Sequence, residues 1–330
     1  MKKSFLIIIA AFIIITAAFC VFRANKERIS VRLAGGEPEN KICVVATIFP
    51  HYDFARAIAG DRAEVTLLLP PGVESHTYEP TPADILKIGT ARVFLYTGDA
   101  MEPWAKRLVS GFEKDGRPLL VDVSQGVTLI GSGEPHVQSG EAGGAHVHER
   151  GGKKNADDPH IWTDPNNAIT MTQNVLKALV GVDPKNEQYY KENARQYMTE
   201  LMALDSDIKK AVAVAERREV VLGGRNAMQY FMKRYGLTAR SAFDSCSAEQ
   251  EPSIRTVAQL KSLIEKKDIR VIYYEELQEP RIARTLAEGT GARLLLLHSL
   301  HNLSKEELAA GETYISMMRK NLENLLEGLS

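Results

Sequence analysis

Three histidines in this chain stand where an apolar run gives way to a polar loop, and imidazole at such places can do the chemistry of a metal ligand. The run Arg293-Leu294-Leu295-Leu296-Leu297 ends in His298, and Glu64 to Leu69 runs into Pro70-Pro71-Gly72-Val73-Glu74-Ser75-His76. Asp158-Pro159-His160-Ile161-Trp162-Thr163-Asp164-Pro165 presents the third imidazole between two prolines. Taken singly, His76 or His298 would be an ordinary loop or core histidine. A soluble zinc site, however, commonly draws four ligands from His, Cys and carboxylate side chains. In open α/β sheets, ligands bind in the crevice beyond the carboxyl ends of the strands. Three histidines delivered from such ends suggest one metal site built from distant parts of the chain.

The elements that must position them alternate. Ile42 to Thr47 reads as a strand, Tyr52 to Ala59 as a helix, then a strand to Leu69, a helix over Thr81 to Gly89, the strand Val93 to Tyr96, a helix around Trp104 to Val109, and the strand Leu119 to Val121. A second series begins at Glu219 to Gly223 and continues through helices Ala227 to Tyr235 and Ser253 to Lys267, strand Val271 to Tyr274, helix Arg281 to Gly289 and strand Leu294 to Leu297. Such alternation predicts α/β lobes with parallel sheets flanked by helices. Between them, Asp183-Pro184 opens a stretch whose apolar residues Tyr190, Ala194, Tyr197, Leu201, Leu204, Ile208, Ala211 and Ala215 recur every three or four positions. That spacing predicts one long helix. The expected organisation is an N-terminal lobe over 41–182, a linking helix over 183–215 and a C-terminal lobe over 216–330.

Charge excludes one class of function. Lys and Arg number 41 against 42 Asp and Glu, a net of -1, so no global field favours nucleic acid. Met1-Lys2-Lys3 precedes an uncharged apolar run from Phe5 to Phe22 that stops at Arg23, which reads as an export signal over 1–23. The run is long enough to span a bilayer, and no small residues mark a cleavage site before Arg23, so it is expected to stay as an anchor to the outer face of the cytoplasmic membrane. A lipid-modified Cys20 is the alternative. Residues 24–40 are polar, with Gly35-Gly36 and Pro38, and read as a tether. Cys20, Cys43 and Cys246 are too few for a disulfide framework. Cys246 reads as a small loop residue.

The stretches Pro70 to Pro82 and Asp158 to Pro165 resemble the two signature segments of the zinc/manganese solute-binding proteins of bacterial ABC transporters. Thr47-Ile48-Phe49-Pro50, Ala59-Gly60-Asp61, Tyr96-Thr97-Gly98 and Glu102-Pro103-Trp104 fit the same pattern, and the resemblance covers residues 42 to about 325. It implies two α/β lobes joined by one long rigid helix, a divalent metal held in the cleft between them, and delivery of that metal to a membrane permease by a protein acting as a monomer. Carried over by position, His76 and His160 are ligands from the first lobe. The second lobe departs from the pattern. Where relatives place a third histidine, this chain has Arg225-Asn226-Ala227-Met228-Gln229-Tyr230-Phe231, and arginine has no lone pair to donate. Where relatives place an aspartate, it has Leu297-His298-Ser299-Leu300.

The expected ligands are therefore His76, His160 and His298, with the fourth open between water and a carboxylate. Glu275 is the leading carboxylate, its other role being an ion pair with Arg225, while Glu276 reads as solvated. Arg225 and His301 are expected to stand behind the ligands, with Arg225 holding an acidic group without touching the metal. His136, His146 and His148, in the Gly-rich stretch from Gly131 to Asp158, are expected to form an auxiliary capture loop of the kind found in zinc-type relatives. Three imidazoles with at most one carboxylate favour zinc, whereas manganese is better served by oxygen donors. No Gly-x-Ser-x-Gly, His-Glu-x-x-His or phosphate-cradling glycine loop is present, so an enzyme is not expected. A membrane-tethered zinc hydrolase and a surface adhesin with the same metal site are the other readings.

Overall fold

The computed structural model describes residues 41–98, 100–112, 118–131, 157–243 and 252–330. The expected anchor and tether, the histidines His136, His146 and His148, and Cys246 lie outside the described residues. Among the described residues no helix is long and apolar enough to cross a membrane.

Two four-stranded parallel sheets repeat one topology. β1 (Ile42–Ala46), β2 (Ala63–Leu67), β3 (Val93–Tyr96) and β4 (Leu119–Asp122) lie in the order β2-β1-β3-β4. β5 (Glu219–Leu222), β6 (Thr238–Ser241), β7 (Val271–Tyr274) and β8 (Arg293–Leu296) lie in the order β6-β5-β7-β8. The inner strands are apolar on both faces because helices cover both. Val44, Val45, Ala46, Val93, Phe94 and Leu95 are all buried. In each sheet the strand order turns back between the two inner strands, which opens a crevice at their carboxyl ends. The loops leaving β2, β5, β7 and β8 carry His76, Arg225, Glu275 and His298.

The linking stretch forms one helix. Pro184–Asn186 makes a 3₁₀ turn, and an α-helix then runs unbroken from Glu187 to Val214. Its 28 residues span roughly 42 Å at 1.5 Å each. The buried stripe is the expected one up to Ile208 and then passes to Val212 instead of Ala211. Asp183 does not cap through its side chain. Its carboxylate accepts from Asn186 Nδ2 at 2.7 Å and from the Tyr190 hydroxyl at 2.6 Å, which fastens the first turn to the segment before it.

The lobes share one apolar core, which runs from Val44 through the long helix to Met317, Met318, Leu325 and Leu329. Polar bonds cross it. Tyr314 donates its amide to Asp53 at 3.0 Å and its hydroxyl to the Trp162 carbonyl at 2.6 Å, and Arg234 grips Asp205 of the long helix at 2.6 and 2.9 Å. Sliding the lobes apart would break these bonds and expose the shared core, so only small relative movements are cheap.

A buried polar knot closes the crevice of the first sheet. His51 is fully buried, with Nδ1 3.2 Å from Thr47 Oγ1 and Nε2 3.0 Å from Thr97 Oγ1. The Thr47 hydroxyl donates in turn to Glu102. Burial lowers the His51 pKa to about 3, and burial raises that of Glu102 to about 7. From about pH 6.5 down to 4.5 the unfolded chain holds this proton on histidine and the folded chain holds it on glutamate, so the two contributions cancel. Replacing His51 by glutamine leaves only Glu102, whose folded form binds the extra proton. The stability of that variant, measured by urea unfolding, is expected to rise as pH falls from about 7 to 4.5, with a slope approaching about 1.4 kcal/mol per pH unit relative to the parent chain. Parallel pH profiles for the two proteins would contradict the assignment.

Candidate metal centre

His76 and His160 come from different loops of the first lobe and meet, with Nε2 atoms 3.2 Å apart. Two nitrogens bound to one tetrahedral zinc at 2.0–2.1 Å stand about 3.3 Å from each other, so this separation, which also suits a hydrogen bond between the rings, matches the spacing of two zinc ligands. Asp158 prepares His160 for that role. Its Oδ1 lies 2.7 Å from His160 Nδ1 and also accepts the His160 amide at 2.9 Å, which keeps the proton on Nδ1 and the Nε2 lone pair outward. Burial, followed by the neighbouring His160, lowers the His76 pKa to about 3, so its ring is neutral and able to donate.

A third ring near this place is that of His301. The His301 ring centroid lies 6.3 Å from that of His76, and its Nε2 is buried without a hydrogen-bond partner. Its other nitrogen, Nδ1, is 2.5 Å from Ser299 Oγ, whose hydroxyl donates to Glu276 Oε1 at 2.6 Å. This relay holds the proton on Nδ1 and leaves the lone pair on Nε2, which lies 3.9 Å from Glu74 Oε1. Glu276, expected to be solvated, is buried. Burial opposes its ionisation, but His298, His301 and the Ser299 bonds outweigh it and hold the carboxyl below its usual range.

His298 is turned the other way. Its Nδ1 accepts the Leu300 amide at 2.9 Å, and its backbone is pinned by Asn321 through two bonds of 2.8 Å. Its Nε2 lies 3.7 Å from Glu307, a charge contact too long for a hydrogen bond. Burial opposes protonation of this ring, but Glu276 and Glu307 outweigh it and raise its pKa. Its Nε2, like that of His301, is buried without a hydrogen-bond partner, and with Nδ1 accepting the Leu300 amide the neutral ring carries its proton on Nε2. The committed Nδ1 of His298 favours His301 as the third nitrogen donor beside His76 and His160. Between the two rings the backbone of Leu300 takes φ 64.

Three further contacts fix the loops. Phe49 donates its amide to the His301 carbonyl at 3.1 Å, Gly72 donates to Leu303 at 2.8 Å, and Asn302 Nδ2 donates to Pro70 and Val73 at 2.7 and 2.9 Å. The His301 loop of the second lobe is thus laced to the His76 loop of the first. Arg225, from the loop after β5, is 7 % exposed. Its Nε donates to Glu275 Oε2 at 3.2 Å and its Nη2 to Glu74 Oε2 at 3.1 Å. Glu275 keeps its other oxygen, Oε1, buried and unbonded, and burial raises its pKa to about 7.

His301 Nε2 and Glu275 Oε1, both buried without a hydrogen-bond partner, thus border a pair of imidazoles at metal-ligand spacing, and His298 Nε2 and Asp158 Oδ2 are unpartnered as well. That donor set of nitrogen and one oxygen fits a divalent transition metal. Among the described residues no three such side chains already converge on one point, so a cation would have to draw the last donors inward. Sequence reasoning passed over Asp158, Glu74 and Ser299. The signals were present in Asp-Pro-His, where a carboxylate two residues before an imidazole can reach its Nδ1, and in His-Ser-Leu-His.

Residues 44–328 match the family model described as zinc-uptake complex component A, periplasmic. The high-affinity zinc uptake system protein ZnuA of Bacillus subtilis is 34% identical over 329 residues, covering 99% of this chain and 98% of that protein. Among solved structures, the metal-dependent lipoprotein YcdH of Bacillus subtilis superposes with a TM-score of 0.73 at 34% identity, covering 88% of this chain and 99% of the other. Zn(II)-bound AdcA of Streptococcus pneumoniae gives 0.72 at 29% identity over 88% of this chain, which spans 58% of that longer protein.

Proposed function

The chain belongs to the zinc-uptake complex component A family, and from that premise we propose that it is an extracytoplasmic solute-binding protein that captures zinc and hands it to the permease of an ABC transporter. The observation that carries the reading is the 3.2 Å approach of two imidazole Nε2 atoms, one of them oriented by Asp158. His76, His160 and His301 bind the cation through Nε2, and Glu275 Oε1 supplies the fourth donor. Asp158, Ser299 and Glu276 orient the rings. His298 stays with Glu307 and leaves the metal untouched. Manganese is the weaker cargo, because three of the four donors are nitrogen. The protein performs no chemistry on its cargo and acts as a monomer. The apolar run Phe5 to Phe22 holds it at the outer face of the membrane, so that captured metal is released close to the permease. His136, His146 and His148 supply a weak auxiliary affinity for the same metal.

The test is metal analysis of the purified chain after zinc loading and gel filtration, with a competition titration of zinc against manganese. One tightly held zinc per chain, displaced only by a large excess of manganese, is expected. A chain that emerges free of metal would defeat the proposal, and turnover of ester or phosphate substrates would favour a tethered hydrolase.

A further inference from the structure

We propose that Arg225 sets the metal selectivity of this centre by holding the carboxylates of Glu74 and Glu275 back from the cation. The inference rests on the reading that His76, His160 and His301 bind the metal. Two carboxylates border these rings, and each has one oxygen taken by the same guanidinium, at 3.2 Å for Glu275 and 3.1 Å for Glu74. Gln278 adds a bond of 3.0 Å to the same Glu74 oxygen. The other Glu74 oxygen accepts the His76 amide at 3.2 Å and lies 3.9 Å from His301 Nε2. Ligand atoms sharing one tetrahedral metal stand about 3.3 Å apart, so Glu74 is within a small movement of a ligand position.

Arginine cannot ligate, and it stays charged when buried. Of the two carboxylates it grips, its fork therefore leaves one oxygen without a hydrogen-bond partner, Glu275 Oε1, beside the imidazoles. Zinc needs no more than four such donors. Manganese gains from additional oxygens and from higher coordination numbers. With the guanidinium gone, both carboxylates can turn toward the cation, and the gain falls mainly to manganese. Loss of a positive charge beside a dication strengthens binding of both metals alike, which is why the ratio of affinities, not either affinity alone, reports the mechanism.

The experiment measures dissociation constants for zinc and for manganese on the full chain, by competition with chromophoric chelators, for the parent, Arg225→Met, Arg225→Lys, Glu74→Gln and the double variant Arg225→Met with Glu74→Gln. Arg225→Met is expected to reduce the preference for zinc over manganese about 10-fold or more, the scale on which partners of ligands act. Arg225→Lys, which keeps the charge, should hold most of the preference, and the double variant should recover much of it because one released carboxylate is gone. Should the methionine variant fail to fold, Arg225→Gln carries the same expectation. A proportional loss of affinity for both metals, with the ratio unchanged, would overturn the proposal, as would a double variant as relaxed as the single one. A parent chain that binds no zinc would instead remove the reading on which the inference stands.

Discussion

His301→Ala is expected to weaken zinc binding by about 100-fold or more, since loss of a ligand exceeds the 10- to 100-fold effect of losing a ligand's partner. His298→Ala should cost far less affinity, although it disturbs a buried loop. The contrast follows from which nitrogen of each ring is committed. In His301 the Nδ1 side is bound to Ser299 and Nε2 is left buried and unbonded. In His298 Nε2 is also buried without a hydrogen-bond partner, but the Nδ1 lone pair is already used by the Leu300 amide, so the neutral ring carries its proton on Nε2, 3.7 Å from Glu307. Zinc titrations of the two variants, each checked for folding by circular dichroism, decide the matter. If His298→Ala were the more damaging to affinity, the assignment of the third ligand would be wrong.

The second large effect is thermal. At free zinc about 1,000-fold above the dissociation constant, linkage adds about 4 kcal/mol to the stability of the parent chain. For a body of this size that corresponds to a rise in Tm on the order of 10 °C. His160→Ala is expected to lose most of the rise, because the ring removed is the one that Asp158 orients and that meets His76. Comparing each protein with and without zinc cancels the change in intrinsic stability caused by emptying a buried position. An undiminished zinc-induced rise in the variant would place the cation elsewhere.

Much of this architecture is legible in the residues. The apolar runs at Val93 to Tyr96 and Val271 to Tyr274 became inner strands, since a run apolar on both faces fits only a sheet covered on both sides. The three-and-four spacing from Tyr190 to Ile208 became one buried stripe, and Asp205 within it is held by Arg234 and Tyr235. Other elements left weaker traces. The edge strand Thr238–Ser241 is four residues long with three of them polar, and the helices Pro165–Val182 and Tyr314–Leu329 read as flanking sequence until their buried faces are seen.

The histidine pair of the first lobe was legible because Pro-Pro-Gly and Asp-Pro frame each imidazole at a fixed offset from a turn. The choice between His298 and His301 was not. Between them lies a leucine held in the left-handed region, a conformation that sequence preference argues against and whose side chain is fully buried. The fate of Glu276 was hidden for a related reason, since its burial depends on Ser299 arriving from a segment 23 residues away.

The most direct test of the proposed centre is a crystal structure of the zinc-loaded chain with anomalous data collected at the zinc edge. One strong peak about 2.0–2.1 Å from Nε2 of His76, His160 and His301, with a Glu275 oxygen completing the set, is the predicted result. A peak bound to His298 with His301 turned away, or one that leaves His76 and His160 in contact with each other and without metal, would contradict it.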